Sequence, residues 1–209
     1  MLVFANANLV FFAVPKTGST AYHLALKGQA DIVLAGRASI KHMTARKYDR
    51  HLAPYLKAAH GLTPERLAVI RDPMEQLRSW YKYRCRPNPK GEPNVVSRLS
   101  FDDFITAVIS KRPPDYARVG DQRTFVSSGK GELRVDHLIA YERPTVLRQF
   151  LAERLGKPVK TKPHNVSPDI PAPLSADIEA ALRLARAPEF ELHQRILEAG
   201  GHLVTPLGK

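Results

Sequence analysis

Two short segments carry residue types whose spacing suits anion binding. In Pro15-Lys16-Thr17-Gly18-Ser19-Thr20, a lysine, a glycine and three hydroxyl side chains directly follow the apolar run Leu9 to Val14. Where a buried strand turns into a helix, backbone N–H groups and the positive end of the helix dipole converge, which favours phosphate or sulfate. Gly18 lets the backbone approach the anion, Lys16 adds a point charge, and Thr17, Ser19 and Thr20 add donors. The alternative is an ordinary turn with Ser or Thr as helix cap. The segment is neither the triphosphate loop G-x-x-x-x-G-K-[ST], because its lysine precedes its only glycine, nor the dinucleotide fingerprint G-x-G-x-x-G. The second segment is Arg71-Asp72-Pro73, which ends the apolar run Leu67 to Ile70, with Ser79 eight residues after the arginine. At a strand end Arg71 opens into the crevice where open α/β sheets bind ligands; its guanidinium matches a phosphate and Ser79 adds a neutral donor. The alternatives are a local Arg71–Asp72 salt bridge and an exposed helix serine.

Those segments need elements to hold them. Leu9 to Val14, closed by Pro15, reads as a strand buried on both faces, and Ala21, Leu24, Ala25 and Ala30 suit a helix after it. Asp31 to Leu34 is a second short strand. From Thr44 to His60, Tyr48, Leu52, Tyr55, Leu56 and Ala59 recur at helical spacing, and Gly61 closes that helix. Leu67 to Ile70 is a third strand, after which Asp72 can cap and Pro73 can open a third helix. Arg86 to Ser100, with Pro87, Pro89, Gly91 and Pro93, must be a surface loop; a helix follows from about Phe101 to Lys111 until Pro113-Pro114 breaks it. Val135 to Tyr141 is a fourth strand, leading through Glu142-Arg143-Pro144 into a helix that Gly156 stops. Lys157 to Pro173 is a proline-rich basic loop, and helices at Ser175 to Arg186 and Pro188 to Ala199 close the chain. Strands alternating with helices predict an α/β protein, a three-layer α/β/α arrangement around a short central parallel sheet of about four to five strands, as a single domain over residues 1–209.

The 209 residues hold 32 Lys and Arg against 20 Asp and Glu, a net charge of +12, which favours an anionic partner. An apolar fraction of 44% supplies a core, and no apolar run approaches the ~20 residues that cross a bilayer. Leu9 to Val14 lacks the basic flank of a signal peptide, and Asn6 and Asn8 interrupt it. Cys85 is the only cysteine, so an intramolecular disulfide and a Cys-rich zinc site are excluded, and the cytoplasm is the simplest compartment. The histidines share no metal-ligand spacing, and no metal is expected. Arg78, Lys82, Arg84 and Arg86 alternate with Trp80, Tyr81 and Tyr83. Such a stretch could bind nucleic acid or an anionic glycan by charge and stacking. Helical spacing instead turns Leu77, Trp80 and Tyr81 inward and leaves the arginines in solvent, with Arg84 and Arg86 able to flank an acceptor's entrance.

Phe11 to Thr20 resembles the 5′-phosphosulfate loop P-K-[TS]-G-[ST]-[ST] of sulfotransferases that use 3′-phosphoadenylyl sulfate (PAPS). Arg71 with Ser79 is similar to that family's 3′-phosphate pair, in the expected order and context. Val135 to Glu142 and Leu155-Gly156 look like the late strand and helix end of carbohydrate-type members, and His164-Asn165-Val166-Ser167 is similar to a stretch of many bacterial ones. The resemblance implies a small bacterial-type, cytoplasmic PAPS-dependent sulfotransferase with a P-loop NTPase-like fold, releasing adenosine 3′,5′-bisphosphate and using no metal. It implies that Lys16, Thr17, Gly18, Ser19, Thr20, Arg71 and Ser79 bind the co-substrate, with Lys16 also stabilising the leaving phosphate. Family members take their base, a histidine or a glutamate, from the segment after the second strand or its helix. His42, with an ordinary pKa of ~6.5, is the expected base; His23 and Glu142 are rivals, and Lys41 could equally contact the acceptor. The sulfuryl group would pass to a hydroxyl or amine of a small-molecule or glycan acceptor, with neither a specific nucleic acid nor a membrane span involved. The alternative is a non-catalytic polyanion- or nucleic-acid-binding protein that keeps the nucleotide loop.

Overall fold

A computed structural model of the chain describes residues 1–87, 90, 94–162, 164 and 168–207. Pro89, Gly91 and Pro93 of the expected surface loop lie outside the described residues, as do Asn165 to Ser167. In chain order the elements are β1 (Leu2–Phe4), β2 (Leu9–Phe11), α1 (Ser19–Leu26), β3 (Ile32–Val33), α2 (Ala38–Lys41), α3 (Ala45–Lys47), a π-helical turn (Tyr48–Leu52) and α4 (Ala53–His60). There follow β4 (Glu65–Ile70), α5 (Pro73–Arg84), α6 (Phe101–Ile109), α7 (Gln122–Phe125), β5 (His137–Ala140), α8 (Pro144–Leu155), α9 (Ala176–Ala185), α10 (Ala187–Glu198) and β6 (His202–Val204), with short 3₁₀ turns on either side of α6.

Six strands form one sheet in the order β3-β1-β2-β4-β5-β6. Only β2, β4 and β5 run parallel; β1 is antiparallel to β2 and β3, and β6 to β5. The expected parallel sheet of about four to five strands is therefore corrected to a mixed sheet of six. Two strands escaped the sequence reading for physical reasons. β1 is joined to β2 by the turn Ala5–Asn8, where Asn8 takes the left-handed φ of 46° that asparagine tolerates and returns its N–H to the Ala5 carbonyl at 3.0 Å. Asn6 and Asn8 thus mark a hairpin. β6 follows Gly200 and Gly201, both at positive φ, and three residues are too few to show a period.

Alternate residues of the strands face opposite layers. Val10, Phe12, Ala68, Ile70, Leu138 and Ala140 pack with Tyr48, Leu56, Leu192 and Ile196 on one side. Leu9, Phe11, Leu67, Val69 and Ile139 pack with Tyr22, Leu26, Leu147 and Leu151 on the other. Helices on both faces make an α/β/α sandwich. A separate cluster joins α5, α6 and α9 through Leu77, Tyr81, Phe101, Phe104, Ile105 and Leu182. Asp72 accepts from the Glu75 N–H and Pro73 opens α5, while Gly61 and Gly156 close their helices in the left-handed conformation. The helix expected from Thr44 to His60 is one run with a wider turn at Tyr48–Leu52. Pro54 lacks an N–H and crowds the carbonyl one turn before it, which accounts for the widening. Among the described residues, no helix is long and apolar enough to cross a membrane.

Candidate functional site at the carboxyl ends of the parallel strands

The chain leaves β2 through buried Phe12 to Val14 and turns at Pro15 to Gly18. Lys16 sits at φ 66°, a left-handed conformation that few non-glycine residues adopt, and Gly18 at φ 70°. Three bonds hold this backbone. The buried Thr17 Oγ1 donates to the Val14 carbonyl at 2.9 Å, Gln76 Nε2 to the Pro15 carbonyl at 3.3 Å, and Arg71 Nη1 to the Lys16 carbonyl at 3.3 Å. Gly18 is the residue before α1, and no side chain caps that helix. A turn capped by Ser or Thr is therefore not what forms: the Ala21 N–H goes to the Gly18 carbonyl at 3.0 Å, and among the described residues the Ser19 and Thr20 N–H groups have no side-chain acceptor, the arrangement that suits an anion. A Cβ at Gly18 would lie 3.1 Å from Tyr141 Cε2, so glycine serves both the conformation and the close approach.

Arg71 follows β4 directly. Its backbone is pinned by the buried Gln122, whose Oε1 accepts from the Arg71 N–H at 2.9 Å and whose Nε2 donates to its carbonyl at 2.8 Å. Its guanidinium stacks 4.6 Å from the centre of the Tyr141 ring, lies 3.8 Å from Glu75, and keeps a buried Nε–H with no acceptor among the described residues. An Arg71–Asp72 salt bridge does not form, since Asp72 caps α5. Ser79 is buried on α5 rather than exposed. It stands one turn after Gln76, on the helix face that Gln76 turns to the loop.

The Lys16 amine takes an unexpected place. It does not lie within its own loop but reaches the last turns of α5, 3.3 Å from the Tyr83 ring centre and 4.7 Å from that of Trp80. Arg84 lies 5.6 Å from the Trp80 ring and Arg86 5.6 Å from that of Tyr83. Burial, reinforced by Arg86 and Arg84, brings the Lys16 pKa down to about 7. Trp80 turns inward as its helical spacing predicts, its indole packing against the α5–α6 cluster, and its ring also covers the Lys16 amine. Sequence reasoning named Trp80 and Tyr83 as stacking residues without setting them against Lys16, and it missed Gln76 and Gln122, which carry no local signal because their partners are distant in the chain.

His42, at the end of α2, places Nδ1 2.6 Å from the Ala13 carbonyl. A carbonyl accepts only, so Nδ1 carries the proton and Nε2 is left as the acceptor. Burial, together with Lys41, the amino terminus and Lys16, outweighs that bond and lowers the pKa of His42, keeping it neutral near pH 7. Lys41 turns back to the loop and donates to Thr20 Oγ1 at 2.9 Å. Among the rivals, Glu142 has both oxygens engaged, Oε1 by the Asp72 N–H at 2.8 Å and Oε2 by His193 Nε2 at 3.0 Å. Although burial pushes its pKa up, those bonds prevail and hold it below the usual value, so Glu142 ties β5 to the start of α5 and to α10. His23 is likewise depressed, first by burial, and its buried Nδ1 has no partner among the described residues. Among the described residues, no three His, Cys, Asp or Glu side chains gather as metal ligands would. Comparison of the chain with protein-family models, with curated proteins and with solved structures finds no match.

Proposed function

We propose that this protein is a PAPS-dependent sulfotransferase, moving a sulfuryl group from the phosphosulfate to a hydroxyl or amine acceptor. The observation that carries the reading is that one direct bond, Arg71 Nη1 to the Lys16 carbonyl, joins the two candidate anion-binding segments at neighbouring strand ends, while His42 is hydrogen-bonded to Ala13, in the segment that leads from β2 into the loop. The residues fit a nucleotide with two phosphate ends. The start of α1 with Gly18, Ser19 and Thr20 offers donors at one end, where Thr17 has only its backbone N–H to give because its hydroxyl is bound to the Val14 carbonyl, and the Nε–H of Arg71, which has no acceptor among the described residues, offers a donor at the other, with Ser79 on the facing helix.

In the step this implies, the acceptor oxygen or nitrogen forms a bond to sulfur as the sulfur–oxygen bond to the 5′-phosphate breaks. The acceptor proton passes to His42 Nε2, and adenosine 3′,5′-bisphosphate leaves with the bond's electron pair. Lys16, swung from Tyr83 and Trp80 toward the loop, meets the negative charge growing on the leaving phosphate.

Calorimetry with adenosine 3′,5′-bisphosphate, beside a sulfate-transfer assay, tests this. His42→Gln is expected to bind the bisphosphate as the wild type does and to lose transfer by ~100-fold or more, the usual scale for a general base. Lys16→Ala and Arg71→Ala are each expected to weaken bisphosphate binding at least tenfold. Unchanged binding in both would remove the nucleotide site, and full transfer by His42→Gln would remove His42 as base.

A further inference from the structure

At the amino ends of the parallel strands, the edge of the sheet opposite the candidate site, lies a cavity of about 440 Å³. Arg71 and Tyr141 follow the last residues of β4 and β5, whereas Glu65 and Arg66, which open β4, and Asp136, which precedes β5, line this cavity. Ala53 and Pro54 of α4, Leu62 and Pro64 ahead of β4, and Leu207 give it an apolar wall. A few polar groups set on such a wall, at this volume, are what small-molecule sites offer. One of those groups is unsatisfied. Tyr48, in the π-helical turn, is 1% exposed, and its buried hydroxyl has no hydrogen-bond partner among the described residues. A hydroxyl in that state has lost its hydration and gained nothing in return. Burial pushes its pKa up to about 12, so it stays protonated as a donor, and the charges that bear on it are those of Arg66, Asp49 and Asp136, all on the cavity wall.

The charges on that wall leave a place for one carboxylate. Asp136 accepts from the Arg66 and Leu207 N–H groups, each at 2.9 Å, and Glu65 is held by Arg154 and by His137 at 3.2 Å. Asp49 alone therefore answers two guanidinium groups, Arg66 at 2.7 Å and Arg134 at 2.9 Å. Arg134 spends its Nε on that bond, and its two Nη groups have no acceptor among the described residues. Lys57, on the same wall, is in no ion pair among the described residues. An anionic oxygen there gains charge-assisted bonds, and an apolar body removes the wall from water. A ligand of several negative charges does not suit, because Asp49, Asp136 and Glu65 repel charge beyond the first. We propose that this cavity binds a small monocarboxylate with an apolar body, its carboxylate bonded to the Tyr48 hydroxyl and the Arg134 guanidinium and its body laid on Pro54, Leu62 and Leu207. The proposal does not rest on the transfer reading.

The experiment titrates 3-phenylpropionate and its neutral amide, 3-phenylpropionamide, into the full chain by calorimetry. The acid is expected to bind, and the amide to bind at least tenfold more weakly. Tyr48→Phe removes only the hydroxyl; it is expected to weaken the acid about tenfold, the scale of a lost bond to a charged group, without lowering the Tm. A lower Tm with unchanged affinity would make the hydroxyl a structural group and overturn its part in the site. Lys57→Gln is expected to weaken the acid severalfold at low salt, while Lys111→Gln, with the same charge lost elsewhere, stays within twofold. Equal losses in those two variants would overturn the cavity in favour of a general effect of charge. An excess of adenosine 3′,5′-bisphosphate is expected to leave the acid's affinity unchanged; displacement would put the acid in the candidate site and overturn the cavity. The Leu62 and Leu207 methyl resonances should move as the acid binds. Equal binding of acid and amide, or no binding of the acid at millimolar concentration, would overturn the proposal outright.

Discussion

Lys16 joins a left-handed backbone to an amine laid on two aromatic rings, and both features bear on how it meets an anion. With a pKa of about 7, set first by burial and then by Arg86 and Arg84, the amine is about half protonated at neutral pH. An anion in the loop restores its charge, so binding takes up a proton. Bisphosphate affinity is therefore expected to fall as pH rises from 7 to 9, approaching tenfold per unit, and Lys16→Gln should remove most of that dependence; calorimetry across this range measures it. The sign follows from the shift: the free protein loses the proton first, and the complex keeps it longest. The lysine and its glycine were legible from type and spacing alone. Its aromatic partners were not, because they lie more than sixty residues away along the chain and only packing brings them together.

α7 is a single turn, yet it governs the end of β4. Gln122 answers both the N–H and the carbonyl of Arg71, while its own N–H is bound by Glu189 at 2.7 Å. Gln122→Ala leaves two backbone groups of Arg71 without partners, and a loss of about 2–4 kcal/mol in urea unfolding is expected, along with weaker bisphosphate binding as Arg71 loses its anchor. The sequence marked the longer helices well, since Asp72, Pro73, Gly61 and Gly156 punctuate the chain by local rules. α7 carries no such mark beyond the Asp121 that caps it; four residues show no period, and its position is set by a buried amide reaching across the fold.

Across the whole molecule, burial holds His23, His42 and His202 below the ordinary histidine value of 6.5. Unfolded, each takes up a proton as pH drops through about 6.5; folded, each resists until lower pH, so the stability this contributes above 6.5 is lost as pH falls through the folded values. Glu142 and Glu65, both held below their usual 4.5, add a further loss at still lower pH, while Glu189, raised chiefly by burial, opposes it. The Tm should fall between pH 7 and pH 5 in differential scanning calorimetry, and His202→Gln, at a position outside the candidate site, should make that fall smaller. The charge of +12 likewise takes shape only in three dimensions: Arg84 and Arg86 stand beside Lys16, while Arg46, Lys47, Arg50 and Arg123 line a cleft of their own between α3 and α7. By itself the sequence determined the alternation of strands and helices, the loop and the arginine at two strand ends, and the histidine beside them, because each of these is written in local spacing and turn chemistry. The tertiary structure alone decided the antiparallel outer strands, the aromatic seat of the lysine, the engagement of Glu142 and the four cations of the cleft. Those depend on residues distant in the chain meeting in space, where burial and partner geometry set the energy of each contact.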